Sequence, residues 1–321
     1  MITRRMMNMM MTYDQLREKW NSIKKGGSVF CLVDQHHHVD INIGYTNFSE
    51  KTLLIRNTGA FLNIPSSKSI IAENYQQDNN EWILLFRLIN PENEEVFIKL
   101  CWDIIESSRD EKDNVVEFIV GRYLKWQRLL EYRPLDILSS AREKGLIGEL
   151  LYLQKLIPVL GVENSVLSWS GPEWSDHDFV YDNTWAEIKT VHFSASQVTI
   201  SSLEQLDNPA NTSLLVIYFI DKTTPNDESG LTLTEIVNQT RKLIGDTNKS
   251  IFDFERKLCE YGYSGDKTEY NIQKYLIGKT KTYKISNSFP KLIRSSIHPA
   301  IISAKYTLSF AAIEDFQIKG D

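Results

Sequence analysis

The sequence predicts an α/β chain of the α+β kind. Residues 1–105 read as a β-rich part, 106–140 as a helical connection, and 141–321 as an α/β core with C-terminal helical and β additions. Three observations predict it. Short β-type runs separated by turn signals fill Ser28 to Leu100. Helical spacing replaces them from Asp103 onward. Beyond Ser139 the order becomes helix, strand, strand, strand, helix, strand over about 80 residues, ending in the continuous apolar run Leu214 to Ile220.

Taken in order, Thr12 to Lys25 has helical spacing through Leu16, Trp20 and Ile23, with Thr12 as the N-cap. The β-type runs are Val29 to Val33, Val39 to Ile43, Thr52 to Ile55, Trp82 to Leu88 and Val96 to Leu100. Asn90-Pro91 and the polar stretch Gln76 to Asn80 are turn signals between them. His36-His37-His38 invites a metal reading, but adjacent strand side chains point to opposite faces, so the three read as exposed loop or edge histidines. Asp103 to Leu138 carries Val116, Ile119, Val120, Tyr123, Leu124 and Leu130 on one helical face, and Pro134 marks a break.

A second helix, Ser139 to Ile157, is expected to stop at Pro158. Leu146, Leu150, Leu153 and Ile157 form its apolar stripe, and Glu149 falls inside that stripe. Such a glutamate either reaches solvent from the stripe's border or needs a partner, a hydrogen bond or a metal. Ser165 to Trp169 reads as a short strand, and Ser170-Gly171-Pro172 as a turn. The stretch Trp174 to Val191 then reads as a β-hairpin turning at Asp182-Asn183. In its second strand Trp185, Glu187, Lys189 and Val191 share one face, while Ala186, Ile188 and Thr190 share the other. Glu187 and Lys189 stand side by side, and Asp178 at the head of the first strand can lie across from them. Two carboxylates and an amine at a sheet edge suit a divalent cation and phosphodiester hydrolysis, whereas an isolated E-x-K is a common solvated face. After the hairpin come a strand at Val198 to Ile200, a short helix holding Leu203, Gln205 and Leu206, and the Leu214 to Ile220 strand. Helices over Thr232 to Ile244 and Ile251 to Tyr261, and strands at Thr282 to Ile285 and Lys305 to Phe310, complete the chain.

At 321 residues, 42% hydrophobic and 24% charged, the composition is that of a globular protein with a sizeable core. No apolar run reaches membrane-span length. Cys31, Cys101 and Cys259 are scattered and odd in number, which suits buried thiols in a reducing cytoplasm. The net charge of -6 does not advertise a nucleic-acid binder. Two stretches are locally basic, one through Lys267, Lys274, Lys279, Lys281, Lys284, Lys291 and Arg294, the other through Arg122, Lys125, Arg128 and Arg133. Each permits a phosphate partner, though a solvated face is the commoner case.

Glu149 on a helix, then Asp178, then E-I-K at Glu187 to Lys189 resembles the PD-(D/E)xK nuclease superfamily, which includes restriction endonucleases and repair nucleases. The wider string is similar to bacterial PD-(D/E)xK motif proteins of restriction-like defence clusters. It comprises G-L-I-G-E-L from Gly145, W-S-G-P from Trp169, D-F at Asp178, E-I-K-T from Glu187 and S-S-L-E-Q-L from Ser201. His177 stands where the motif's proline would precede the aspartate, which makes Asp176 a competing ligand.

The resemblance implies a restriction-endonuclease-like αβββαβ core and a Mg²⁺-dependent endodeoxyribonuclease, with Mn²⁺ able to substitute. It implies Asp178 and Glu187 as metal ligands, the Ile188 carbonyl as a further one, and Glu149 on a second metal or its water. Lys189 would orient the attacking water, and Gln205 would position a water or a phosphate unless it merely caps the hairpin. The implied partners are double-stranded DNA, a methyltransferase, an ATPase and a second copy of the chain. Two other readings stand beside this one: a non-catalytic DNA-binding or scaffold subunit that retains the fold, and a nuclease directed at RNA or DNA junctions.

Overall fold

A computed structural model describes residues 10–59, 62, 64–111, 114–131, 137–173, 175–207, 212–245, 250–263 and 268–319. Trp174, Pro134, Arg133 and Lys267, named above, lie outside the described residues, as does the side chain of Arg128. Among the described residues there are seven α-helices and three sheets. None of the helices is long and apolar enough to cross a membrane. The chain divides into two compact units, one from 1–136 with 246–259, the other from 137–245 with 260–321.

In the first unit, helix α1 (Tyr13–Asn21) begins with a capping box. The Thr12 hydroxyl accepts from the Gln15 N–H, and Gln15 Oε1 accepts from the Thr12 N–H. Strands β1 (Val29–Leu32), β2 (Ile41–Tyr45), β3 (Lys51–Arg56), β4 (Ile70–Gln76) and β5 (Trp82–Leu88) follow. They form an antiparallel sheet in the order β1-β2-β3-β5-β4. Helices α2 (Glu94–Ser107) and α3 (Val115–Glu131) complete this portion of the chain.

Three departures from the sequence reading occur here. Val96 to Leu100 is not a strand but part of α2, which starts just after Asn90-Pro91 and is buried from Val96 through Ser107. An element buried on all sides loses its periodic signature, and only the length of the run separates helix from strand. Strand β4 was not foreseen because it is an edge strand with mixed exposure, held by backbone pairing to β5 rather than by an alternating apolar face. His37 also departs from the exposed reading. It is buried, its Nε2 lies 2.9 Å from the Ile105 carbonyl, and its Nδ1 accepts from the Val39 N–H.

The second unit opens with α4 (Ser140–Leu160), capped by the Ser139 hydroxyl. Pro158 does not stop this helix. It falls in the last turn, where a missing N–H costs one bond, and Gly161 ends the helix at φ 78°. Helix α5 (Val162–Ser168) replaces the strand expected at Ser165 to Trp169. Only Trp169 retains strand character, as an antiparallel bridge to Phe179.

Strands β6 (Phe179–Tyr181), β7 (Thr184–Val191), β8 (Gln197–Ile200), β9 (Thr212–Thr223) and β10 (Leu231–Thr232) come next. Helix α6 (Leu233–Ile244) follows, then strands β11 (Lys274–Lys284) and β12 (Tyr306–Ser309), while helix α7 (Ser250–Tyr261) belongs through Cys259 to the first unit and only its last two residues to the second. The main sheet runs β10-β11-β9-β7-β6, with β7 parallel to β9 and its other pairs antiparallel. β8 and β12 make a separate two-stranded sheet.

The faces of β7 and β9 sort by parity. Trp185, Leu215, Ile217 and Phe219 pack with Val198, Ile200 and Leu308 in one core. On the other face Ile188, Thr190 and Tyr218 meet α4 at Gly148, where a Cβ would stand 2.6 Å from the Thr190 methyl. A glycine inside a helix costs about 1 kcal/mol against alanine. Here it brings α4 onto the sheet and with it Glu149, the next residue.

Candidate active site

The hairpin that carries the acidic residues turns at Asp182, whose φ of 48° is the left-handed conformation that Asp and Asn tolerate. β6 begins at Phe179, paired with Ala186, so β7 continues past the end of its partner. The backbone N–H of Ile188 would be left without a strand to bond. The Asp178 carboxylate takes that place, its Oδ2 accepting from Ile188 N–H at 2.7 Å. A side chain thus ends the ladder and is fixed by it.

Glu187 and Lys189 share one face of β7, as period two requires, with Glu187 Oε1 2.7 Å from Lys189 Nζ. Glu187 is 2% exposed and Lys189 17%. Glu149 enters from α4 and is buried. Its Oε2 accepts from the indole N–H of Trp169 at 2.7 Å, and the Tyr261 hydroxyl also hydrogen-bonds its carboxylate. Gly171 lies between the acids: a Cβ there would stand 3.0 Å from both Asp178 Oδ1 and Glu149 Oε2. Glu149, Asp178, Glu187 and Lys189 are therefore brought together at the edge of the main sheet.

Electrostatics set this cluster apart. Burial raises the pKa of all three carboxyls. For Glu149 the neighbouring charges of Asp178 and Glu187 raise it further. For Glu187, burial and then Asp178 push the value up to about 8, against the pull of Lys189. One ammonium faces three carboxyls, so with all of them ionised the site carries excess negative charge that a divalent cation would offset.

The donor set fits a hard cation held lightly by protein. Among the described residues no three His, Cys, Asp or Glu side chains already converge as a ligand cage. Asp178 and Glu187 can supply two carboxylates, which is the usual protein share for Mg²⁺, the other positions going to water and substrate phosphate.

Gln205 is not part of this cluster. It sits in a short 3-10 turn (Glu204–Leu206), where its Oε1 accepts from the Ser201 N–H at 2.8 Å, so its amide closes its own turn rather than capping the hairpin. Asp176 is exposed, and no hydrogen bond among the described residues joins it to the acids. His177 is buried and stacks on Trp185 with ring centroids 4.0 Å apart. Among the described residues His177 Nδ1 and Trp185 Nε1 have no hydrogen-bond partner. Four residues of the basic stretches are engaged within the protein. Arg122 binds Asp103, Lys274 donates to the Asp227 carbonyl, Lys281 pairs with Glu314, and Arg294 pairs with Glu204.

Sequence reasoning missed Trp169, Gly171 and Tyr261 as parts of the site. Trp169 and Gly171 lie within W-S-G-P, whose spacing from Asp178 is read only once the chain folds back. Tyr261 is over a hundred residues from Glu149. Its approach depends on Gly145, where a Cβ would lie 2.6 Å from the Tyr261 hydroxyl. Arg142, one turn earlier on α4, binds the Tyr261 carbonyl and stacks on its ring.

No curated protein and no solved structure matches the chain. Residues 9–311 do match a family, described as "Putative PD-(D/E)XK family member, (DUF4420)". With the match spanning nearly the whole chain, and acid, acid-x-lysine and helix glutamate gathered at one sheet edge, the protein belongs to that PD-(D/E)XK family.

Proposed function

We propose that this protein is a Mg²⁺-dependent endodeoxyribonuclease that hydrolyses phosphodiester bonds in duplex DNA, as part of a bacterial restriction or phage-defence system. The observation that carries the reading is the cluster of half-buried Asp178 with buried Glu187 and Glu149, which has Lys189 as its one close cation among the described residues. Such a cluster is costly to bury unless a cation completes it. The restriction-endonuclease-like core order, with β7 and β9 parallel beneath α4, is the fold-level part of the same reading.

Asp178 and Glu187 would hold Mg²⁺ or Mn²⁺, with the Ile188 carbonyl as a further ligand and Glu149 on a second ion or an ion-bound water. When bound, the ion supplies a lowered water pKa and neutralises charge on the phosphate. The chain's own residues do the rest. Lys189, fixed by Glu187, orients the attacking water and offsets the charge that develops at phosphorus. The Ile188 N–H keeps Asp178 in one rotamer, and burial of Glu149 and Glu187 limits the access of bulk water.

The test is cleavage of duplex, single-stranded and branched DNA, and of RNA, with Mg²⁺ or Mn²⁺ by wild type and by Lys189→Ala. Duplex cutting by wild type, lost in the variant, is the expected result. Wild type that cuts nothing, even with a methyltransferase and an ATPase from its genomic neighbourhood added, would mean a DNA-binding scaffold. Cutting restricted to RNA or to branched substrates would move the substrate class.

A further inference from the structure

We infer that Trp169 is a positioning residue for the metal centre, its indole N–H fixing Glu149 Oε2 opposite Asp178 Oδ1. This rests on the metal-centre reading above and adds a residue to which that reading assigns no role.

Trp169 is fully buried, and its Nε1 lies 2.7 Å from Glu149 Oε2. Apolar burial alone would be met by phenylalanine, so what tryptophan adds is the donor. The segment bearing that donor is itself tied to Asp178. Trp169 bridges Phe179, and the Ser170 and Gly171 N–H groups both donate to the Asp178 carbonyl, at 2.8 and 3.0 Å. One short stretch of chain therefore holds the backbone of one acid and the carboxylate of another. Gly171 completes the arrangement, since a Cβ there would crowd an oxygen of each.

The N–H is needed because Glu149 reaches the site on a flexible side chain and faces two other carboxyls, which are like charges whenever the acids ionise to hold an ion. Without a donor, repulsion from Asp178 and Glu187 would turn it away from the position where it can hold an ion or its water. Asp178 has an equivalent clamp in the Ile188 N–H. Each acid thus has one oxygen held by an N–H group. Residues that orient ligands in this way typically account for about 10- to 100-fold in metal affinity.

The test is a double-mutant cycle read by Mn²⁺ binding, using electron paramagnetic resonance of free Mn²⁺ with no substrate present. Trp169→Phe should weaken Mn²⁺ binding about 10-fold in the native background. In a Glu149→Ala background the same change should do almost nothing. If Trp169→Phe leaves affinity within twofold of wild type, or costs the same in both backgrounds, the positioning role is overturned and the metal centre stands. If wild type itself binds no Mn²⁺, the metal-centre reading falls and the inference with it. Should Trp169→Phe lose its fold, benzothienylalanine at position 169 keeps the ring shape and removes only the N–H. The same loss of affinity is expected from it.

Discussion

The two units bury charge in opposite ways. In the first, Asp103 is completely buried, and Arg122 answers it with Nε 3.0 Å from each carboxylate oxygen and Nη2 2.6 Å from Oδ1. The Trp126 indole N–H donates to the same carboxylate at 2.6 Å. Glu106 is likewise gripped by Arg109 through two bonds, and Arg109 reaches on to Asp34. In the second unit Glu149 also receives an indole N–H, from Trp169, but among the described residues no guanidinium accompanies it. Tryptophan, burial and a carboxylate recur in both places, and the arginine does not. A buried acid that the fold balances with its own cation is part of the scaffold. Acids gathered around a single lysine are where we propose that a cation from outside completes the balance.

The sharpest way to break this comparison is to remove a cation from each side. Arg122→Ala strands Asp103 in the interior and should cost about 3–5 kcal/mol of stability. Chemical denaturation would measure it, with no change in Mn²⁺ affinity for whatever folded protein remains. An unchanged denaturation midpoint would mean that the first unit's ion pairs are not structural.

On the other side, Lys189→Ala should lower DNA cleavage on the order of 10²-fold or more while leaving Mn²⁺ and DNA binding largely intact. Glu187→Ala should lose metal affinity together with cleavage. Gel assays and metal titrations run side by side on the pair would show it. Equal metal affinity in the two variants would contradict the separate roles.

Linkage offers a third, smaller effect. Glu187 has a folded pKa of about 8 against an ordinary 4.5, so the folded state binds the extra proton between those values. Its contribution to stability is therefore present in full below pH 4.5 and is lost as pH rises through about 8. The metal-free protein should lose thermal stability across that window. Glu187→Gln should flatten the slope, and Mn²⁺ should restore the wild type at the alkaline end. A Glu187→Gln variant with the wild-type slope would show that Glu187 is not the titrating group.

The division into a β-rich part over 1–105, a connection over 106–140 and a core over 141–321 remains our proposal for the domains, with recognition or partner contacts assigned to the first. Limited proteolysis should cut between Ile104 and Ser140 with little effect on the core. Full resistance there would count against it.

The sequence already showed what alternation and helical stripes encode. Glu187 and Lys189 share a face because strand side chains alternate, and Leu214 to Ile220 lies inside the central strand β9 because it is buried on both sides. Where burial surrounds an element, as in α2, pattern failed. Where backbone pairing rather than side chains makes the strand, as in β4, pattern was silent. The same limit applied at the site. The acids could be named from local spacing, but Trp169, Gly171 and Tyr261 reach Glu149 only through tertiary folding. Gln205 shows the converse, since a motif position placed it near the chemistry and its side chain instead closes its own turn.

We propose that a divalent ion completes the carboxylate cluster at the edge of β7. A crystal soaked in Mn²⁺ and measured at the manganese absorption edge tests it most directly. An anomalous peak is expected between the carboxylates of Asp178 and Glu187, absent from Glu187→Ala crystals. No peak there at millimolar Mn²⁺, or one that persists unchanged in Glu187→Ala, would contradict it.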